Sequence, residues 1–123
     1  SGGELSRILL SLKRVVGASQ QPRTYLFDEV DAGVSGETAE RVGQKLRSIA
    51  KGQQVICVTH LPQVAAHGNV HFYIQKSPQK DSVNMEIVEL KEKERIKEIA
   101  RLISGEKISK TSLAHASELL SQV

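Results

Sequence analysis

Thr24-Tyr25-Leu26-Phe27-Asp28-Glu29-Val30-Asp31 is the stretch on which the reading of the whole chain turns. A short β-prone apolar run ends abruptly in two acids, and a third acid follows two residues later. The run does not alternate apolar with polar, the pattern of a strand buried on both faces, as in a parallel sheet. Ligands of open α/β sheets bind outside the carboxyl ends of the strands, which is where Asp28 and Glu29 fall. Two adjacent acids in that crevice can divide the work. One holds Mg²⁺, directly or through water, because this hard cation favours oxygen ligands and keeps several waters. The other orients and deprotonates an attacking water, a contribution of about 10²–10⁴-fold in rate. A pair of solvated acids at a strand end is the competing reading of the same residues.

Working outward, Ala32-Gly33-Val34-Ser35-Gly36 reads as a loop and the next stretch, to about Lys51, as a helix with Ala39, Val42, Leu46 and Ile49 on one face. Ser35 suits its N-cap, Glu37 and Glu40 its first turns, and Gly52 its end. Gln54 to Thr59 is a second buried strand, closed by His60. Strand, helix and strand make a βαβ unit, for which a right-handed crossover is expected. Upstream, Leu5, Ile8, Leu9, Leu12, Val15 and Val16 recur at helical spacing, with Gly17 as a stop. Downstream, Pro62 and Gly68 bracket a short helix over 62–67. Val70–Lys76 and Ser82–Leu90 read as an antiparallel hairpin around the turn 77–81. Lys91–Ser104 packs through Ile96, Ile99, Ala100 and Ile103, Gly105 stops it, and a last helix from about Thr111 uses Leu113, Ala116, Leu119 and Leu120. The expected class is α/β: parallel strands with flanking helices, then a β-hairpin and C-terminal helices.

Composition narrows what this architecture can serve. At 123 residues one domain is the default, and 39% hydrophobic with 25% charged residues is ordinary globular composition. No apolar run approaches the roughly 20 residues of a membrane helix, and no signal-peptide pattern opens the chain. A transmembrane or secreted protein is not expected; a cytoplasmic one is. The single cysteine, Cys57, lies in Val55-Ile56-Cys57-Val58 and reads as a small buried hydrophobe in a reducing compartment. With no second cysteine and no His-Glu-x-x-His spacing, a cysteine-based zinc site is excluded. The net charge of +3 comes with no long basic block and only Tyr25, Phe27, Phe72 and Tyr73 as aromatics. A platform for stacking single-stranded nucleic acid needs aromatics interleaved with cations, which this chain lacks.

Three further features join the acid pair. Ser1-Gly2-Gly3-Glu4 stands directly before the first helix. Two glycines let the backbone approach an anion, and free helix N–H groups favour phosphate oxygens; a plain linker is the bland alternative. Asp31 lies in the loop after Glu29, and His60 ends the second strand, within reach of the same crevice.

In order and approximate spacing, these four features resemble the ABC-type ATPases: signature motif, Walker B strand, D-loop and switch histidine. Asp28-Glu29-Val30-Asp31 is similar to the SMC branch of that family. Ala32-Gly33-Val34-Ser35-Gly36, Val58-Thr59-His60-Leu61-Pro62-Gln63-Val64-Ala65-Ala66, the stretch from Arg95 to Gly105 and Leu113-Ala114-His115-Ala116 resemble an SMC-like bacterial DNA repair branch. The resemblance covers essentially all 123 residues. It implies that Ser1, Gly2, Gly3 and Glu4 bind ATP as the signature, with Asp31 at the D-loop aspartate. It further implies that Asp28 holds Mg²⁺, Glu29 is the base for water and His60 senses the γ-phosphate. No Gly-x-x-x-x-Gly-Lys-Ser/Thr loop occurs in the sequence, nor any sustained heptad stretch. Residues 1–123 are therefore expected to form the C-terminal lobe of an ATPase head. The implied partners are an N-terminal P-loop lobe of the same protein, a second head in a homodimer, and DNA; the implied role is recombinational repair of double-strand breaks.

Two other classes use the same residues. A metal-dependent hydrolase or nuclease would take Asp28, Glu29, Asp31 and His60 as ligands, leaving the glycines unexplained. A non-enzymatic binding module would need none of them for chemistry.

Overall fold

The structure is a computed structural model describing residues 7–12, 21–34, 36–79 and 82–123. The order is α1 (residues 7–12 of those described), β1 (Thr24–Asp28), α2 (Gly36–Ile49), β2 (Gln54–Val58), α3 (Pro62–Ala65), β3 (His71–Gln79), β4 (Ser82–Leu90), α4 (Glu92–Ser104) and α5 (Lys110–Ser121). The expected mixed α/β class is what the chain adopts. The flanks of the first helix and the N-cap assigned to Ser35 lie outside the described residues.

β1 and β2 run parallel, with Thr24 opposite Gln54 and Asp28 opposite Val58, and α2 supplies the crossover between them. The expected face of α2 is the one buried: Ala39, Val42, Leu46 and Ile49 pack with Leu12, Val34 and Val64. Phe27, Val55 and Cys57 face this core from the sheet. A second core joins α4 to α5 through Ile99, Ala100 and Ala116, with Ala65 of α3 against it. The ends of these helices follow local chemistry. Gly105, at φ +78°, closes α4 by donating its N–H to the Arg101 carbonyl at 2.8 Å. Ser109 and Ser112 cap α5 reciprocally, each side-chain oxygen accepting the other's backbone N–H at 3.0 and 2.9 Å.

Two expectations need correcting. The strands of the parallel pair are not buried on both faces: Leu26 is 68% exposed, and its neighbour Ile56 and Val58 are also exposed. Apolar residues run straight through both strands, yet among the described residues only the α1/α2 side of the sheet is covered. The hairpin is also longer than read. β3 continues through Pro78 to Gln79, which pairs with Ser82. Among the described residues β3 has a strand neighbour on one side only, so a residue without an N–H can be tolerated where that N–H would point away from β4.

Candidate functional site

The ladder register determines what meets at the end of the parallel pair. Because Asp28 lies opposite Val58, Asp28-Glu29 and Thr59-His60 leave adjacent strands at the same edge. The Glu29 N–H donates to the Val58 carbonyl at 2.9 Å, the last link between the two strands before the chain turns. Glu29 itself sits at φ +52°, in the left-handed region that a side chain with Cβ rarely occupies. Its carbonyl accepts the Ala32 N–H at 3.0 Å, and the Asp31 carbonyl accepts the Val34 N–H at 3.1 Å. Val34, buried in the α2 core, anchors the far side of this loop.

Within this frame the acids face different ways. Asp28, Glu29 and His60 are exposed at the edge, the placement a site for a soluble ligand needs. Asp31 is 0% exposed, and its Oδ2 accepts a short hydrogen bond from the Thr59 hydroxyl. The same Thr59 oxygen accepts the Leu61 N–H at 3.0 Å. The resemblance implies that Asp31 touches nucleotide; its side chain is buried in this chain, against Thr59. Thr59 is the residue that sequence reasoning missed; its only signal was its place immediately before His60. Ser1, Gly2, Gly3 and Glu4 lie outside the described residues.

The environment of Cys57 is consistent with this arrangement of charge. Burial, then the nearby carboxylates of Asp31 and Asp28, push its thiol up to about 11. It is a half-buried group that packs against the α2 core from the sheet. Asp28, an exposed carboxylate at a strand end, is the donor type that Mg²⁺ favours, with water completing its shell. Among the described residues no group of three or more His, Cys, Asp and Glu side chains is placed to hold a metal by itself. The four-ligand nuclease reading is therefore not supported.

Behind the edge, α2 and α3 are tied together by polar contacts that the sequence did not advertise. His67, just past α3, hydrogen-bonds through Nε2 to Glu40 Oε1 at 2.7 Å. Arg47 donates to the His67 carbonyl at 2.9 Å, and Arg95 of α4 donates to the carbonyls of Ala65, Ala66 and Gly68 at 3.2, 3.3 and 2.5 Å. Two guanidinium groups thus satisfy carbonyls at the C-terminal end of α3, the end where cations are favoured. These contacts hold the segment that follows His60 in place.

The fold defines a class first. A solved structure from work on the structural biochemistry of ATP-driven dimerization and DNA-stimulated activation of SMC ATPases matches 87% of this chain and 64% of its own. The TM-score is 0.62 at 23% sequence identity, and the shared fold is that of an SMC ATPase head. No family model matches the chain. The curated relatives narrow that class. DNA repair protein RecN of Halalkalibacterium halodurans is 46% identical over 120 residues, 98% of this chain and 21% of that protein. RecN of Treponema pallidum is 42% identical over the same shares, and RecN of Haemophilus influenzae 43% identical over 100% of this chain and 22% of its own length. The chain belongs to the RecN family, of whose members it spans about a fifth of the length.

Proposed function

We propose that this chain is the C-terminal lobe of a RecN-type ATPase head, working with a P-loop lobe of the same protein and a second head to hydrolyse ATP during DNA repair. The observation that carries this reading is the common edge at which parallel β1 and β2 deliver Asp28, Glu29 and His60. Glu29, held at φ +52° by a bond to β2, is the base that orients and deprotonates water. Asp28 would hold Mg²⁺, which supplies charge neutralisation to the phosphates when bound. His60 faces the γ-phosphate from the neighbouring strand end. Ser1-Gly2-Gly3-Glu4 closes over the nucleotide of the partner head, so that hydrolysis depends on assembly, as in other phosphoryl-transfer sites completed in trans. The protein works in the cytoplasm on double-strand breaks, and no described helix is long and apolar enough to cross a membrane.

The test uses the full-length protein. Glu29→Gln keeps size and some hydrogen bonding but removes the proton acceptor, so ATP binding persists while turnover falls by about 10²–10⁴-fold. Wild-type turnover in that variant would remove Glu29 from the role. Residues 1–123 alone contain no phosphate loop, whose backbone cradle and lysine supply most phosphate contacts. Calorimetry on the isolated chain is expected to find no tight Mg-ATP binding; micromolar affinity would contradict the assignment of the nucleotide to a shared site.

A further inference from the structure

We infer that Asp31 and Thr59 are positioning residues, whose buried hydrogen bond sets the loop carrying Glu29 against the loop carrying His60. Asp31 follows Glu29 by two residues and Thr59 precedes His60 directly, so the bond joins the two loops just beyond the point where the strand ladder ends. Thr59 is committed on both sides: its hydroxyl donates to Asp31 Oδ2 and accepts the Leu61 N–H at 3.0 Å, which fixes its orientation. Asp31 is committed too. Its backbone lies between the turn closed by Ala32 on Glu29 and the turn closed by Val34 on Asp31 itself, so displacing its side chain displaces Glu29.

Residue type supports the same conclusion. Asp31 is 0% exposed, and its Oδ1 has no hydrogen-bond partner among the described residues. A half-satisfied buried carboxyl is a poor stabiliser, and apolar residues of similar volume often do as well or better in such places. What an apolar residue cannot do is hold Thr59 in one direction. The bond is thus explained by geometry at the edge, where a misplacement of about 1 Å costs on the order of 10²-fold in rate.

This inference rests on Glu29 being the base, and the experiment separates the two. In the full-length protein, Thr59→Val removes the hydroxyl at nearly constant volume, and kcat for ATP is expected to fall about ten- to a hundredfold with KM within about twofold. Thr59→Ser restores the hydroxyl and most of kcat. Asp31→Leu combined with Thr59→Val loses no more than either single change, because both break one bond. Should Thr59→Val fail to fold, Thr59→Ala against Thr59→Ser makes the same comparison. Turnover abolished in Glu29→Gln but unchanged in Thr59→Val overturns the positioning role alone, as do additive losses in the double variant or a failure of Thr59→Ser to recover kcat. Wild-type turnover in Glu29→Gln overturns the site itself, and the positioning role falls with it.

Discussion

A Cβ on Gly43 of α2 would stand 2.5 Å from Cδ2 of His67, closer than real Cβ contacts allow, and 3.0 Å from the Gln63 carbonyl oxygen. α2 and α3 approach this closely because position 43 has no side chain, and that approach lets Glu40, one turn earlier, reach the buried His67 ring. Two effects of Gly43→Ala oppose each other. Removing a mid-helix glycine favours the helix by about 1 kcal/mol. Overpacking a rigid contact costs typically about 1–3 kcal/mol, and neither a ring held by Glu40 nor a backbone carbonyl can yield easily. Net destabilisation of about 1 kcal/mol is expected, read as a lower denaturation midpoint. An unchanged or raised midpoint would show that α3 can shift away from α2.

His71, at the start of β3, gives the fold a pH dependence of definite sign. Burial, then the Arg95 charge, lower its pKa, and Glu98 opposes them in part. Its Nδ1 is buried without a hydrogen-bond partner among the described residues, so a proton placed there gains nothing. A histidine whose folded pKa lies below its unfolded one binds fewer protons when folded. Stability is then full above the unfolded pKa of about 6.5 and declines as pH falls through it toward the lower folded value. His71→Gln should flatten that decline as pH falls below about 7. Parallel curves for the two proteins would assign the decline to other groups.

The places where sequence reading succeeded and failed share one physical cause. The buried face of α2 and the Gly105 stop are set within a few residues, so spacing and capping chemistry reveal them. Leu26 and Ile56 misled because an unbroken apolar run reads the same whether or not the chain covers both sides of it. The inward turn of Asp31 depends on Thr59, 28 residues away, and Glu40 meets His67 across 27. No local pattern carries either pairing. The acids and His60 could be named from type and order; which of them face outward is decided by tertiary contacts.

Cys57 should be inert in the folded protein. With its thiol pushed up to about 11, the reactive thiolate is only about one part in a thousand at pH 8. Alkylation by iodoacetamide, followed at the peptide level by mass spectrometry, is expected to be slow in the native protein and fast after denaturation. Rapid native labelling at neutral pH would mean that the strand end opens readily.

The two acids at the edge should fail in different ways when neutralised in the full-length protein. Glu29 leaves β1 at φ +52° with its N–H fixed to Val58, whereas Asp28 is still part of the strand opposite Val58. Asp28→Asn removes a charge from the residue suited to Mg²⁺, so Mg-dependent nucleotide binding itself should weaken. Glu29→Gln leaves that charge in place, so nucleotide should bind and hold two heads together while turnover falls by about two to four orders of magnitude. Affinity, nucleotide-dependent dimerisation and turnover measured side by side separate the cases. An equal loss of ATP binding in both variants would show that the metal and the water are not divided between Asp28 and Glu29.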